Sequence, residues 1–186
     1  METRNWLAGC AALALAACGG EAEETDIVDT TADQSALAPD ATADAEMPTT
    51  AQAFADKQAA SDMYEIEAGK LAQQNGTAQA VKDFGAMMER DHTKSTQDLE
   101  GAAEQAQGVT VRAQLSAKHQ SDLNALRNAG VNFDSVYKQQ QIAAHAQALS
   151  MLRNYGDNGD NPALQDFARQ TATVVEGHLE QARQLP

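Results

Sequence analysis

Past residue 18 the sequence contains no cysteine: Cys10 and Cys18 are the only two in 186 residues. The rest of the chain can form no disulfide, offers no thiolate nucleophile and has no cysteine metal ligand. Aromatics are scarce, at 4%, while alanine is abundant. That balance suits closely packed helices better than a β sandwich. No run of alternating apolar residues occurs in 51–186, so strands are not expected there. Bases are absent from residues 19–50, which carry nine acids (Glu21, Glu23, Glu24, Asp26, Asp29, Asp33, Asp40, Asp44 and Glu46) out of a formal net charge of −14. Residues 51–186 hold 17 acids and 12 bases, with no basic patch, so nucleic acid is not an expected partner. Ser-His-Asp spacing and a Gly-rich phosphate loop are both missing, which leaves hydrolysis without support and no catalytic residue to name.

What is present falls into three parts. Residues 1–18 read as an export signal, with Arg4 followed by an apolar run from Trp6 to Ala17 that is too short to span a bilayer as a stable helix. The run ends in Leu15-Ala16-Ala17-Cys18, which resembles the lipobox of bacterial lipoproteins. That resemblance implies lipid attachment at Cys18, and Gly19 after it implies the outer membrane, facing the periplasm. The membrane is then a partner through the lipidated N-terminus. Residues 19–48 have too few large apolar groups to offset their ordering entropy, so an acidic disordered tether is expected. Residues 49–186 are the expected folded domain.

Within that domain the hydrophobic period is helical throughout. Thr49 to Gln52 reads as a capping box, opening a helix that Asn75-Gly76 ends. Phe54, Ser61, Glu65, Ala68 and Ala72 share its inner face at 100° per residue. A second helix is expected from a Thr77 cap to before Gly108. Val81, Phe84, Gly85, Met88, His92, Ser95, Leu99, Ala103 and Ala106 form its apolar stripe. A shorter helix spans about 115–129, with Leu115, His119, Leu123 and Leu126 on one face; His119 reads as a packing residue. The third long helix runs from an Asn132 cap to a stop at Gly156, with His145 sharing its face with Asp134, Gln141, Leu149 and Leu152. A fourth opens with Asn161 as cap and Pro162 at its first position. It aligns Leu164, Phe167, Thr171, Val174, His178, Ala182 and Leu185.

The fold class is therefore all-α, a four-helix bundle with one additional short helix. The segment joining the second and third long helices reaches roughly 40 Å, enough for a crossover that leaves them parallel, as in ferritin-like folds. An up-down-up-down bundle is the alternative.

Glu65, His92, His145 and His178 lie on the apolar faces of four different helices, at similar heights. A buried carboxylate must be paired, protonated or metal-bound. Three imidazoles and a carboxylate make a chemically sensible set for Zn, Fe, Mn or Cu. Asp91, Asp134, Gln141 and Tyr64 are candidates to hydrogen-bond those ligands from outside. The alternative is a purely structural polar network in a non-enzymatic, partner-binding lipoprotein. Glu89-Arg90-Asp91-His92 matches the Glu-x-x-His spacing of di-iron bundles, but Ile142 and Val175 stand three residues before His145 and His178. The di-iron set is incomplete.

The segments Phe54…Ala59-Ala60…Glu65-Ile66…Gly69-Lys70-Leu71-Ala72, Phe84…Met88…Asp91-His92, Phe133-Asp134…Tyr137…Gln141-Ile142…His145 and His178-Leu179 together resemble a widespread uncharacterised ferritin-like domain family of bacterial exported proteins. The resemblance covers about residues 51–185. It implies a ferritin-like bundle and an envelope location, and no activity. Glu89 stands where that family is usually apolar, which weakens the di-iron reading further.

Overall fold

The computed structural model describes residues 47–186; the signal, Cys18 and residues 19–46 of the expected tether lie outside the described residues. Among the described residues the helices are α1 (Ala51–Asn75), α2 (Gln79–Gln105), α3 (Ala117–Arg127), α4 (Phe133–Asn158) and α5 (Pro162–Gln184), with a 3₁₀ turn at Gly130–Asn132 before α4. None of the described helices is long and apolar enough to cross a membrane.

Helices α1 and α2 form one antiparallel pair, α4 and α5 another. The stacked rings of Phe54 and Tyr155, 4.0 Å apart, bring the start of α1 to the end of α4. At the other end, Asp134 at the start of α4 accepts the backbone N–H groups of Thr77 and Ala78, each at 2.8 Å, at the start of α2. Helices α2 and α4 are therefore parallel, and α3 belongs to the crossover between them. The fold is the ferritin-like bundle with its extra short helix in the connection. On α3, Leu123 and Leu126 are buried, and His119 stacks on Tyr64 at 4.9 Å.

Glycine sets how closely the first pair packs. A Cβ on Gly69 would lie 2.5 Å from the Gly85 carbonyl oxygen, and one on Gly85 would lie 2.7 Å from the Gly69 oxygen. Only side chains without a Cβ allow these two backbones to touch.

Several local expectations need correction. The cap of α1 is Thr50, whose side chain accepts from Ala53 N–H, rather than Thr49. Gln52 is then freed to bond Asp56 and the backbone of Thr110. Thr77 does not cap α2 with its side chain; Asp134 supplies the acceptor from another helix. Asn132 makes no side-chain cap for α4. Gly156 does not stop α4, which continues to Asn158: its missing Cβ makes room for Arg169, whose Cγ would lie 2.9 Å from such an atom. On α5 the wheel placed Val174 inside, but it is half exposed and Val175 is buried in its place.

The buried apolar side chains fall into two clusters, bridged by the partly buried Ile142. One cluster holds Phe54, Leu99, Leu152, Tyr155, Leu164 and Phe167. The other holds Tyr64, Phe84, Met88, Leu123, Phe133 and Tyr137. Between them lies a layer of buried polar side chains: Gln58, Asp62, Glu65, His92, Gln141, His145 and His178.

Candidate metal centre

The middle layer exists because three long helices each present a histidine to the axis at the same height. His92 comes from α2, His145 from α4 and His178 from α5. Their ring centroids form a nearly equilateral triangle, 5.7 Å from His92 to His145, 5.6 Å from His92 to His178 and 5.5 Å from His145 to His178. All three are at least 96% buried.

Acceptor-only partners fix the tautomer of each ring. His92 donates from Nδ1 to Asp62 Oδ1 at 2.7 Å. His145 donates from Nδ1 to the Gln141 carbonyl oxygen at 2.9 Å. His178 donates from Nε2 to Asp91 Oδ2 at 3.2 Å. The remaining nitrogens, His92 Nε2, His145 Nε2 and His178 Nδ1, are buried without any hydrogen-bond partner. In the neutral ring each of these nitrogens carries a lone pair. One ring nitrogen from each histidine lies within 4.8 Å of the other two.

Three buried, unpaired lone pairs turned toward one space are costly unless a cation occupies it. The donor set fits a transition metal that accepts imidazole nitrogen. Metal-bound imidazoles characteristically give their other N–H to a carboxylate or carbonyl, the pattern that Asp62, Gln141 and Asp91 supply. Asp62 is itself well satisfied. Its Oδ1 also accepts from Gln58 Nε2 at 3.0 Å, and its Oδ2 accepts from Ser95 Oγ at 2.9 Å.

Electrostatics keep the lone pairs of His145 and His178 available. Burial, with the charge of His92, pushes His145 down to about 3. Burial, with His92 and His145, pushes His178 down to about 4. Both are neutral at neutral pH and need shed no proton to ligate. Burial also acts to lower His92, but the hydrogen bond and charge of Asp62, with Glu65 and Asp91, overcome it and hold that ring above its ordinary value, so His92 is the ligand that gives up a proton when metal binds.

Glu65, placed with the histidines by the helical wheel, stands beside the triangle and is not among the converging donors. Its Oε2 accepts from Gln141 Nε2 at 2.7 Å, and its Oε1 is 3.6 Å from His145 Nδ1. Burial raises it to about 7, against the pull of His92, Gln141 and His119. Gln141 and Asp91 do contact the centre, as anchors of His145 and His178. Asp134 lies at the end of the bundle, as the cap described above. Tyr64 faces α4 through its hydroxyl, which donates to Gln140 Oε1 at 3.1 Å. Glu89 bonds Gln73 Nε2 at 2.7 Å, away from the triangle.

Sequence reasoning missed Asp62, the fully buried anchor of His92. The signal was available: Asp62 lies one turn after Gln58 and three residues before Glu65, on the same inner face. Ser61, chosen in its place, is only partly buried.

No curated protein matches the chain. Two solved structures share its fold. CopM in the Cu(I)-bound form has a TM-score of 0.62 at 23% identity, covering 73% of this chain and 94% of that one. CopM in the Ag-bound form has a TM-score of 0.60 at 20% identity, covering 73% and 93%. At such identities the likeness establishes the helical bundle. The family model described as "Domain of unknown function (DUF4142)" matches residues 36–185, nearly the whole of the bundle and its approach, and the chain belongs to that family.

Proposed function

We propose that this protein is an envelope lipoprotein, anchored through Cys18, whose bundle binds one transition-metal ion through His92, His145 and His178. The observation that carries the reading is the convergence of three buried, unpartnered imidazole nitrogens. Asp62, Glu65 and Asp91 supply carboxylates to balance the ion's charge. Among Zn, Fe, Mn and Cu, a monovalent copper ion is favoured. Imidazole suits copper, three donors satisfy a low-coordinate ion, and zinc ordinarily takes a fourth ligand. The similarity to a bundle solved with Cu(I) and with Ag supports the same choice. Glu65 acts beside the ion as counter-charge rather than as a fourth donor.

Metal analysis of untagged protein, with anaerobic titration by Cu(I), Ag(I) and Zn(II), tests the proposal. About one Cu(I) per chain is expected, with a gain near 2.7 kcal/mol in unfolding free energy at a hundredfold excess over Kd. Metal-free protein whose stability ignores all three ions is the outcome of the alternative, in which the same residues form a structural network only.

A further inference from the structure

The two apolar clusters close the histidine triangle along the bundle axis, with Phe84 and Met88 on one side and Leu99 and Leu152 on the other. An ion must therefore pass sideways, between helices. At the height of the triangle the α1–α2 seam is crossed by the His92–Asp62 and Ser95–Asp62 hydrogen bonds. The α1–α4 seam is crossed by the Tyr64–Gln140 and Glu65–Gln141 hydrogen bonds. At the α2–α5 seam a polar group that touches the triangle also reaches solvent: Asp91, whose side chain is 27% exposed, holds His178, which is 5% exposed.

The three ring anchors are unequal. Asp62 is fully buried and receives three hydrogen bonds, and its bond to His92 is the shortest of the set. His145 is held by a carbonyl of its own helix one turn away. His178 has the longest bond, to a carboxylate whose other oxygen accepts from Arg90 Nε at 2.8 Å, and the Arg90 side chain is 68% exposed. An exposed pair of that kind holds weakly. Of the three rings, His178 is therefore the least tightly anchored, and its displacement breaks the weakest contact.

We propose that His178 is the mobile ligand of the centre, and that Asp91, steadied by Arg90, is the outer carboxylate through which the cation enters and leaves along the α2–α5 seam. This rests on the metal reading above. Asp91 and Arg90 are positioning residues for exchange, while His92 and His145 stay fixed.

The test uses the full chain loaded anaerobically with one equivalent of Cu(I), and follows transfer to excess bathocuproine disulfonate by stopped flow. Arg90→Ala is expected to speed both uptake and release by about threefold to fivefold, the equivalent of one exposed ion pair, with little change in Kd. Asp91→Asn, which keeps an acceptor but loses the charge, is expected to slow uptake. In metal-free protein, ¹⁵N relaxation dispersion of the histidine rings is expected to show microsecond–millisecond exchange at His178 and not at His92 or His145. Normal Cu(I) uptake with wild-type rates in both variants, or equal mobility of the three rings, overturns the route and leaves the metal reading intact. Failure to take up Cu(I) overturns both.

Discussion

At the scale of single residues, the centre is defined by what its side chains lack. His92, His145 and His178 each have one nitrogen satisfied and one left bare in a dry interior. Asp62→Asn keeps the size of the anchor and removes its charge; metal affinity is expected to fall about 10–100-fold, read by chelator competition. Asp62→Ala strands His92, Ser95 and Gln58 and is expected to cost about 3 kcal/mol by urea unfolding, a loss that metal only partly restores. The pH dependence follows from the two depressed histidines, His145 near 3 and His178 near 4. The folded metal-free protein keeps both neutral, while the unfolded chain takes up protons below about pH 6.5. Their contribution to stability is thus complete above that value and lost as pH falls toward 4 and then 3. His92, held above its ordinary value, works in the opposite sense: its contribution is full below pH 6.5 and fades as pH rises through its folded value. Each depressed histidine accounts for about 2 kcal/mol between pH 6.5 and pH 5. Urea unfolding of metal-free His145→Asn at several pH values is expected to show a shallower acid loss than wild type. An unchanged slope would refute the assignment of a buried neutral ring.

At the scale of elements, the helices are held in register by contacts that a wheel diagram does not contain. Gly69 and Gly85 set the α1–α2 spacing, so Gly69→Ala and Gly85→Ala are each expected to destabilise by about 1–3 kcal/mol through overpacking. Gly101, also in α2, faces open space, and Gly101→Ala is expected to gain about 1 kcal/mol from helix propensity alone. Denaturation midpoints of the three variants separate the two effects by sign. Removing Asp134 uncaps α2 from a distance, and Asp134→Ala is expected to lose about 1 kcal/mol. The five helices were legible in the sequence because their apolar periods are long and punctuated by Asn75-Gly76, Gly130 and Asn161-Pro162. The caps were less so, because an acceptor on α4 can satisfy α2, and no local pattern records that. Val174 and Val175 illustrate the same limit: a wheel fixes a face to within one residue, and packing against α4 and α2 chooses between neighbours.

At the scale of the whole molecule, a ferritin-like crossover brings α2 and α4 parallel and puts three histidines from distant sequence positions at one height. The sequence showed which helices carry a polar residue inward, since each histidine stood in an otherwise apolar stripe. It did not show which would converge. Glu65 has the right height and face, yet its helix turns it toward Gln141 and the outer side of His145. Asp62 on the same helix reaches the centre instead, as the anchor of His92. That choice depends on rotation of α1 by a fraction of a turn, which is set by the Gly69–Gly85 contact and by the packing of Phe54 on Tyr155. The belt also divides the core into two apolar halves, so filling its centre ties both halves together. Metal binding is expected to raise unfolding stability as a single cooperative transition. The most direct measurement is X-ray absorption of the Cu(I)-loaded full chain, beside the His92→Ala, His145→Ala and His178→Ala variants. The account predicts a first shell of three nitrogens without sulfur, reduced in each variant; a sulfur scatterer, or a shell unchanged by all three substitutions, would contradict it.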